Sequence, residues 1–450
     1  MKTPESPPAM NLLLEEVGAQ GRVEHVLRAI YEPEASARYR HWDKLRHRPP
    51  PSGLSHREWW LALKLARTPH YRRIALRSAD GRPFQYTVFD PISEFLHDID
   101  LRTGGSIGMP DPITNPETKA RYIVNSLVAE AITSSQLEGA ATTRRVAKEM
   151  IRTGRPPRDD GERMILNNYS AMQMIVTHRD RPLTPETILN LHRIVTQSAL
   201  DDPADAGRLR RPDQRVEVAD QYNRVFHVPP PADRLEPRMA EMCDFANAKT
   251  PKTFVHPVLR SIILHFWLAY DHPFVDGNGR TARALFYWSM LHQGYWLCEF
   301  ISISEIIRKA PAQYGRAFLY TETDDNDLTY FILYHLDVIG KAIEQLRSYV
   351  ERKTKELQEV ERRMRAVADL NHRQCALVSH ALRHPGYRYS IDSHGQSHKV
   401  VYQTARTDLL DLAKRGLLTA RKVGREWQFE PADDLEEKLR RSDERVQSRG

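Results

Sequence analysis

Two apolar stretches, Pro257 to Tyr270 and Arg280 to Gln293, flank a loop with two glycines, Gly277 and Gly279. Apolar residues recur at helical spacing, and in the second stretch Ala284, Leu285, Trp288 and Leu291 share one face. The pattern predicts a helix–loop–helix seated in a largely helical core. At 450 residues the chain is too long for one compact core, which predicts two or three domains. No apolar run approaches the roughly 20 residues of a membrane span, so no membrane partner is expected. Met1 to Met10 is polar and proline-bearing, without the apolar centre of a secretory signal. Cys243, Cys298 and Cys375 stand too far apart for a disulfide framework or a zinc cluster, and a reducing cytoplasm is the expected location.

The loop and its flanks read His272-Pro273-Phe274-Val275-Asp276-Gly277-Asn278-Gly279-Arg280-Thr281-Ala282-Arg283. Glycine allows a backbone whose N–H groups turn the same way, and the following helix adds its own unpaired N–H groups and positive dipole end. That combination cradles phosphate. Arg280 and Arg283, three apart, share a helix face beside the cradle, and two guanidinium groups suit a polyphosphate. A carboxylate such as Asp276 belongs beside phosphates when Mg²⁺ lies between them. His272 titrates near neutrality and suits a general base. Taken singly, these residues would be a loop cap, two solvated arginines and a turn or calcium-loop fragment. Taken together, they describe nucleotidyl or phosphoryl transfer, and no P-loop motif competes.

At these residues the chain resembles the Fic family, whose signature H-P-F-x-[DE]-G-N-G-R-x-x-R it matches at every fixed position. The resemblance implies an adenylyltransferase that moves AMP from ATP to a Ser, Thr or Tyr hydroxyl of a target protein. It implies His272 as the base, Asp276 as the Mg²⁺ ligand, and Asn278 with the N–H groups of Gly277 and Gly279 on the α-phosphate. Arg280 and Arg283 would then bind the β- and γ-phosphates. Ser134-Ser-Gln-Leu-Glu138-Gly139 resembles the family's inhibitory motif, [ST]-x-x-x-E-[GN]. Ser134 and Glu138 are four apart on one helix face. By resemblance Glu138 would pair with Arg283, exclude the γ-phosphate and lower basal activity, and removal of AMP is a further reaction it allows. A Ser and a Glu four apart also occur on ordinary solvated helices. The family often dimerises, which makes a homodimer an expectation.

Around this centre the chain reads as mainly α. An N-terminal helical domain is expected over 1–110, with Trp42, Trp59 and Trp60 as packing anchors around Pro49 to Pro51. Within it, Gly81 to Asp90 reads as a hairpin, turning at Asp80-Gly81 and alternating Phe84, Tyr86, Val88. The Fic core with its inhibitory helix is expected over 111–340. Leu127, Ala131 and Ser134 mark one helix, Met164, Leu166, Tyr169 and Met172 another, and Thr184-Pro185-Glu186 a helix start. Val216 to Val228 alternates around a polar turn at Asp220 to Asn223. This reads either as a plain structural hairpin or, by the resemblance, as the flap on which a target segment docks by strand addition. Asp324 to Phe331, with an acidic, capping-type start, resembles the entry to the family's closing helix, a structural role.

A charged linker helix is expected over 341–370, solvated or forming a dimer seam, with Leu346, Val350, Leu357 and Val360 as its apolar points. Residues 371–430 read as a winged-helix-like domain, and 431–450 as a charged tail. A helix is expected from Gln396 to Arg415, ended by Gly416, then a basic hairpin around Gly424. Asn371 to Phe429 carries ten Lys/Arg against four Asp/Glu, most of the chain's net +7. Lys399, Arg406, Arg421, Lys422 and Arg425 are placed to meet DNA phosphates, and a protein-interaction role is the alternative. The competing reading of the whole chain is a DNA-binding regulator or scaffold with the Fic core as its sensor.

Overall fold

The structure, a computed structural model, describes residues 2–30, 39–51, 53–103, 116–219, 222–367, 370–423 and 426–439. The chain divides into two compact units, residues 1–105 with 126–343, and residues 106–125 with 344–450. The first opens with helices α1 (Met10–Ala19), α2 (Val23–Ala29), α3 (Trp42–Leu45) and α4 (His56–Arg67). Ser55 and Glu58 form a reciprocal capping box that starts α4. Trp42, Trp59 and Trp60 are buried in one cluster with Leu13, Val17 and Val26, as their bulk and apolar area require.

Strands β1 (Arg72–Arg77) and β2 (Pro83–Tyr86) form an antiparallel hairpin whose turn holds Gly81 at φ 85°. The hairpin therefore starts earlier than expected and does not run on to Asp90. Beyond Tyr86 the N–H of Thr87 donates to the Thr329 hydroxyl at 3.1 Å, and helix α5 (Asp90–Thr103) follows. The edge of β2 is covered: Gln85 exchanges main-chain bonds with Asn326 and Leu328.

Next come α6 (Pro116–Leu137), α7 (Arg144–Thr153), α8 (Asp160–His178) and α9 (Pro185–Val195). The last three start on side-chain caps from Thr143, Asp159 and Thr184, with Pro185 in the first turn of α9 as expected. Strands β3 (Val218–Ala219) and β4 (Val225–His227) pair antiparallel. They are only two and three residues long, so Val216 and Val228 lie outside them, and Asp220 and Gln221 of the expected turn lie outside the described residues.

The remaining helices of this region are α10 (Leu235–Ala246), α11 (Pro257–Asp271), α12 (Asn278–His292), α13 (Ile303–Lys309), α14 (Pro311–Thr323) and α15 (Thr329–Val367). Helices α11 and α12 pack against each other, and α8, α9 and α10 pack around them. Both central helices are buried on nearly every face, which is why their sequences are apolar beyond a single stripe. Helix α15 continues through residue 341 without a break. The side chains of Leu357 and Val360 lie outside the described set.

The second unit holds α16 (His372–Arg383), β5 (Tyr389–Ser390), α17 (Ile391–His398), α18 (Tyr402–Lys414), β6 (Leu418–Val423) and β7 (Glu426–Pro431). Its strands form one antiparallel sheet in the order β5-β7-β6. The expected single helix from Gln396 to Arg415 is two helices. Lys399 adopts φ 52°, ψ 44° and its N–H returns to the Gln396 carbonyl, which ends α17 before Val400 and Val401 lead into α18. Gly424 and Arg425 lie outside the described residues.

Candidate active site

The bend between α11 and α12 is held by its own residues. His272 ends α11 in the left-handed region (φ 44°, ψ 56°), its N–H donating to the Leu268 carbonyl at 3.0 Å. That conformation turns the chain out of the helix, and Pro273 cannot resume the helical bonding. Phe274 is fully buried. Its N–H donates to Asn278 Oδ1 at 3.0 Å, and its carbonyl accepts from Asn278 Nδ2 at 2.8 Å. Asn278 is thus a brace across the loop. Gly277 caps α12 at φ 79°, where a side chain would be strained and would press on Thr196 Cγ2 at 2.8 Å.

Among the described residues no side chain caps α12, so its first turn is open to an anion. The carboxylate of Glu138 lies there: a Cβ on Gly279 would clash with Glu138 Oε1. Glu138 Oε1 also accepts from Arg283 Nη2 at 2.7 Å. Arg283 further donates from Nε to Ser134 Oγ at 2.8 Å and from Nη2 to the Ser134 carbonyl at 3.0 Å. Its guanidinium is buried; burial alone would lower its pKa, and the charge of Glu138 more than reverses this. Gly139, at φ 100°, lies just beyond α6 and bonds back to the Gln136 carbonyl. Ser134 and Glu138 thus meet Arg283 across the helix pair.

Arg280 is also buried, donating from Nη2 to Asp276 Oδ2 at 3.0 Å and from Nη1 to the Val195 carbonyl at 3.2 Å. Its Nε is buried without a partner among the described residues. Burial lowers its pKa, while Asp276 and Glu138 raise it and Arg283 lowers it, so one field joins the two arginines and the glutamate. The Asp276 side chain is 57% exposed, which leaves it available to solvent or an ion.

His272 Nδ1 donates to the Ala269 carbonyl at 3.3 Å, which leaves Nε2 unprotonated on the neutral ring. Burial pushes its pKa down to about 4, with the Ala269 carbonyl and Glu138 opposing and His227 and Arg210 assisting. The ring is therefore neutral at pH 7 with its lone pair on Nε2.

Four supporting residues carry no signal in the sequence pattern. Arg210 donates its N–H to the Pro273 carbonyl at 2.9 Å and its Nε to the His272 carbonyl at 3.0 Å, and also reaches the Pro230 carbonyl. His192 stacks on Phe274 with ring centroids 3.7 Å apart. Its Nδ1 accepts from the Gly207 N–H at 3.0 Å, so Nε2 holds the proton and donates to the Asp276 carbonyl at 2.9 Å. His227, on β4, bonds the Tyr270 carbonyl and Glu322, both at 2.7 Å, and ties the hairpin to the end of α11. Tyr314, beside Arg283, bonds His265 Nε2 at 2.9 Å. A lone histidine or arginine in its own segment looks like any other, and only tertiary contact identifies these four.

Comparison with known proteins matches residues 182–290 to the Fic/DOC family. Protein adenylyltransferase Fic of Nematostella vectensis is 30% identical over 211 residues, covering 46% of this chain and 45% of that protein. Protein adenylyltransferase fic-1 of Caenorhabditis briggsae is 28% identical over 225 residues, covering 49% and 40%. The chain thus spans less than half the length of these curated relatives. A Fic family protein from Desulfovibrio desulfuricans G20 shares the fold, with TM-score 0.52 at 18% identity over 77% of this chain and 98% of that one. The bend from His272 to Arg283 falls inside residues 182–290, the segment that matches the Fic/DOC family.

Proposed function

We propose that the chain is a protein adenylyltransferase held in check by its own helix α6. The observation that carries this reading is the Glu138 carboxylate lying on Gly279 and paired with Arg283. A carboxylate there marks the first turn of α12 as an anion seat and occupies it. The names of the relatives, protein adenylyltransferase, support ATP as donor and AMP as the group transferred.

In the reaction, a target Ser, Thr or Tyr hydroxyl gives its proton to Nε2 of His272. Its oxygen forms a bond to the α-phosphorus, and the bond from that phosphorus to the oxygen bridging the β-phosphorus breaks. Pyrophosphate departs with the electron pair. The N–H groups of Gly277 and Gly279 hold the α-phosphate, while Asn278 keeps the loop in shape through Phe274. Arg280 takes the β-phosphate, and Arg283 takes the γ-phosphate once Glu138 has left it. Asp276, a single exposed carboxylate, fits Mg²⁺, which keeps waters and phosphate oxygens as its other ligands. When bound, the ion neutralises charge on the α- and β-phosphates.

The β3–β4 hairpin serves as the docking edge for the target, supported by the exposure of Tyr222, Val225 and Val228. Glu138 is 30% exposed and can also orient a water for removal of AMP. The free cysteines support a reducing compartment. In the second unit, the succession of helix, strand, two helices and hairpin, with exposed Arg421 and Lys422, supports a winged helix that meets DNA phosphates.

The test is ATP labelled at the α- or the γ-phosphate, with Mg²⁺, and the full chain as wild type, Glu138→Gly, and Glu138→Gly combined with His272→Ala. We expect α-label on protein to rise at least about tenfold in Glu138→Gly and to return to background in the double variant. Label that persists without His272, or that enters from the γ-phosphate, would overturn the reading.

A further inference from the structure

Two adjoining depressions of about 380 and 560 Å³ open in the first unit, away from the bend and lined by none of its residues. Both are lined by Arg40, Lys44, Arg48, Arg316 and Tyr320, brought together by α3 with its flanking loops and by α14. Asp43 is the one carboxylate on either wall among the described residues. It is itself engaged, accepting from the Glu5 N–H at 3.0 Å. Arg46, at the rim, pairs with Glu5. Like charges gathered in one concavity repel, and an anion relieves them. The repulsion acts on Lys44: burial first, then the charge of Arg316, lowers its pKa, with Asp43 opposing and Arg40 adding to the fall.

A second observation points to a ligand. The Tyr320 hydroxyl is buried, near Arg316 and Asp43 but in hydrogen-bonding geometry with neither, and has no partner among the described residues. Arg46 Nε is likewise buried without a partner. Buried donors left open are uncommon, and two at one cationic concavity mark an acceptor's place. His41 stacks on the Tyr320 ring at 4.3 Å and holds it in place.

The geometry points to a second ligand site here, for an anion of two linked phosphoryl groups, separate from the Fic bend. Lys44, Arg48 and Arg316, spread over two joined depressions, suit a diphosphate better than a single phosphate. Tyr39, Leu333 and Tyr334 give the larger depression apolar walls on which a nucleoside base can lie. Free pyrophosphate and a nucleoside diphosphate share this chemistry. The site does not depend on the transfer reaction proposed above.

The experiment is calorimetric titration of the full chain carrying Arg283→Ala, which disables the bend, with sodium pyrophosphate and separately with ADP, without Mg²⁺. We expect saturable one-site binding, weakened about threefold by Tyr320→Phe and at least about tenfold by Lys44→Glu with Arg316→Glu. Lys44→Gln substitutes for the charge-reversed pair should that pair fail to melt like its parent, and is expected to weaken binding about threefold. ADP binding several-fold more tightly than pyrophosphate identifies the nucleotide as occupant, and equal affinities identify pyrophosphate. No saturable heat from either ligand up to about 1 mM, or affinities unchanged by these substitutions, would overturn the site.

Discussion

Arg283 directs two of its nitrogens at α6, Nε to the Ser134 hydroxyl and Nη2 to both the Ser134 carbonyl and Glu138. The two partners contribute differently. Glu138 supplies charge and occupies the anion seat, while the Ser134 hydroxyl supplies one charge-assisted hydrogen bond, worth about 1.5 kcal/mol. If α6 inhibits as proposed, Ser134→Ala should release that inhibition only partly, raising initial rates of α-label incorporation up to about tenfold and less than Glu138→Gly does. Equal rates in Ser134→Ala and wild type would show that the hydroxyl takes no part. His272 allows a second expectation. Its pKa is pushed down to about 4 by burial, so the ring is neutral and able to accept a proton at every pH above about 5. The profile of kcat/KM, which reports the free enzyme, should stay flat through the usual histidine range near 6.5 and fall only as pH drops toward about 4. A limb centred near 6.5 would place the ring in solvent. The twelve residues from His272 to Arg283 were legible because they are contiguous and each type is matched to its chemistry. The supports Arg210 and His192 were not, because they reach the bend from distant segments by backbone contacts that leave no spacing in the sequence.

Among elements, the β3–β4 hairpin holds together with very little regular structure. Its alternation was visible, but the strands shrink to two and three residues because Ala219 and Val225 pair across an irregular register. What fixes the hairpin is one buried side chain. His227 bonds the Tyr270 carbonyl through Nε2 and Glu322 through Nδ1, and it donates to both only as the imidazolium. Burial pulls its pKa down, and the hydrogen bond and charge of Glu322 more than reverse this, so the pKa stands above the ordinary value. A raised folded pKa means stabilisation fully present below about 6.5 and lost as pH rises through the folded value. Hydrogen-exchange protection at Val225 to Val228, corrected for intrinsic rate, should fall as pH rises above neutrality. In Glu322→Gln that pH dependence should vanish and protection at pH 6 should drop. Unchanged protection at pH 6 in this variant would mean the hairpin is held elsewhere. The break at Lys399 teaches the opposite lesson about patterns: the apolar points Val400, Ala405, Leu409 and Leu412 all follow it, so the spacing marks the stretch leading into and along α18 and carries no sign of the left-handed turn that ends α17.

At the scale of the molecule, the second unit has a core that closes on itself. Leu377, Val378, Tyr389, Ile391, Leu409, Leu412, Leu418, Phe429 and Leu435 form one buried cluster, with Leu370 and Leu439 packed against its ends. A polar knot supports it: Asp408, buried, accepts from Arg373 Nε at 2.7 Å and Asn371 Nδ2 at 2.8 Å. Every member of both sets falls between residues 370 and 439, so this fragment carries all it needs to fold alone. At about 70 residues its margin is small, about 3 to 5 kcal/mol. It should therefore unfold in one cooperative transition, and Phe429→Ala, which costs about 3 to 5 kcal/mol in a closed core, should leave it largely unfolded at 25 °C by circular dichroism. A fragment that melts without cooperativity would show that the cluster relies on the rest of the chain. The folded fragment also separates the two partner classes for its basic surface. Binding to duplex DNA should weaken steeply with salt and fall further with Arg421→Glu and Lys422→Glu, because phosphate contacts release counterions in proportion to the charges that make them. Binding that ignores both salt and these charges would assign the surface to a protein partner instead.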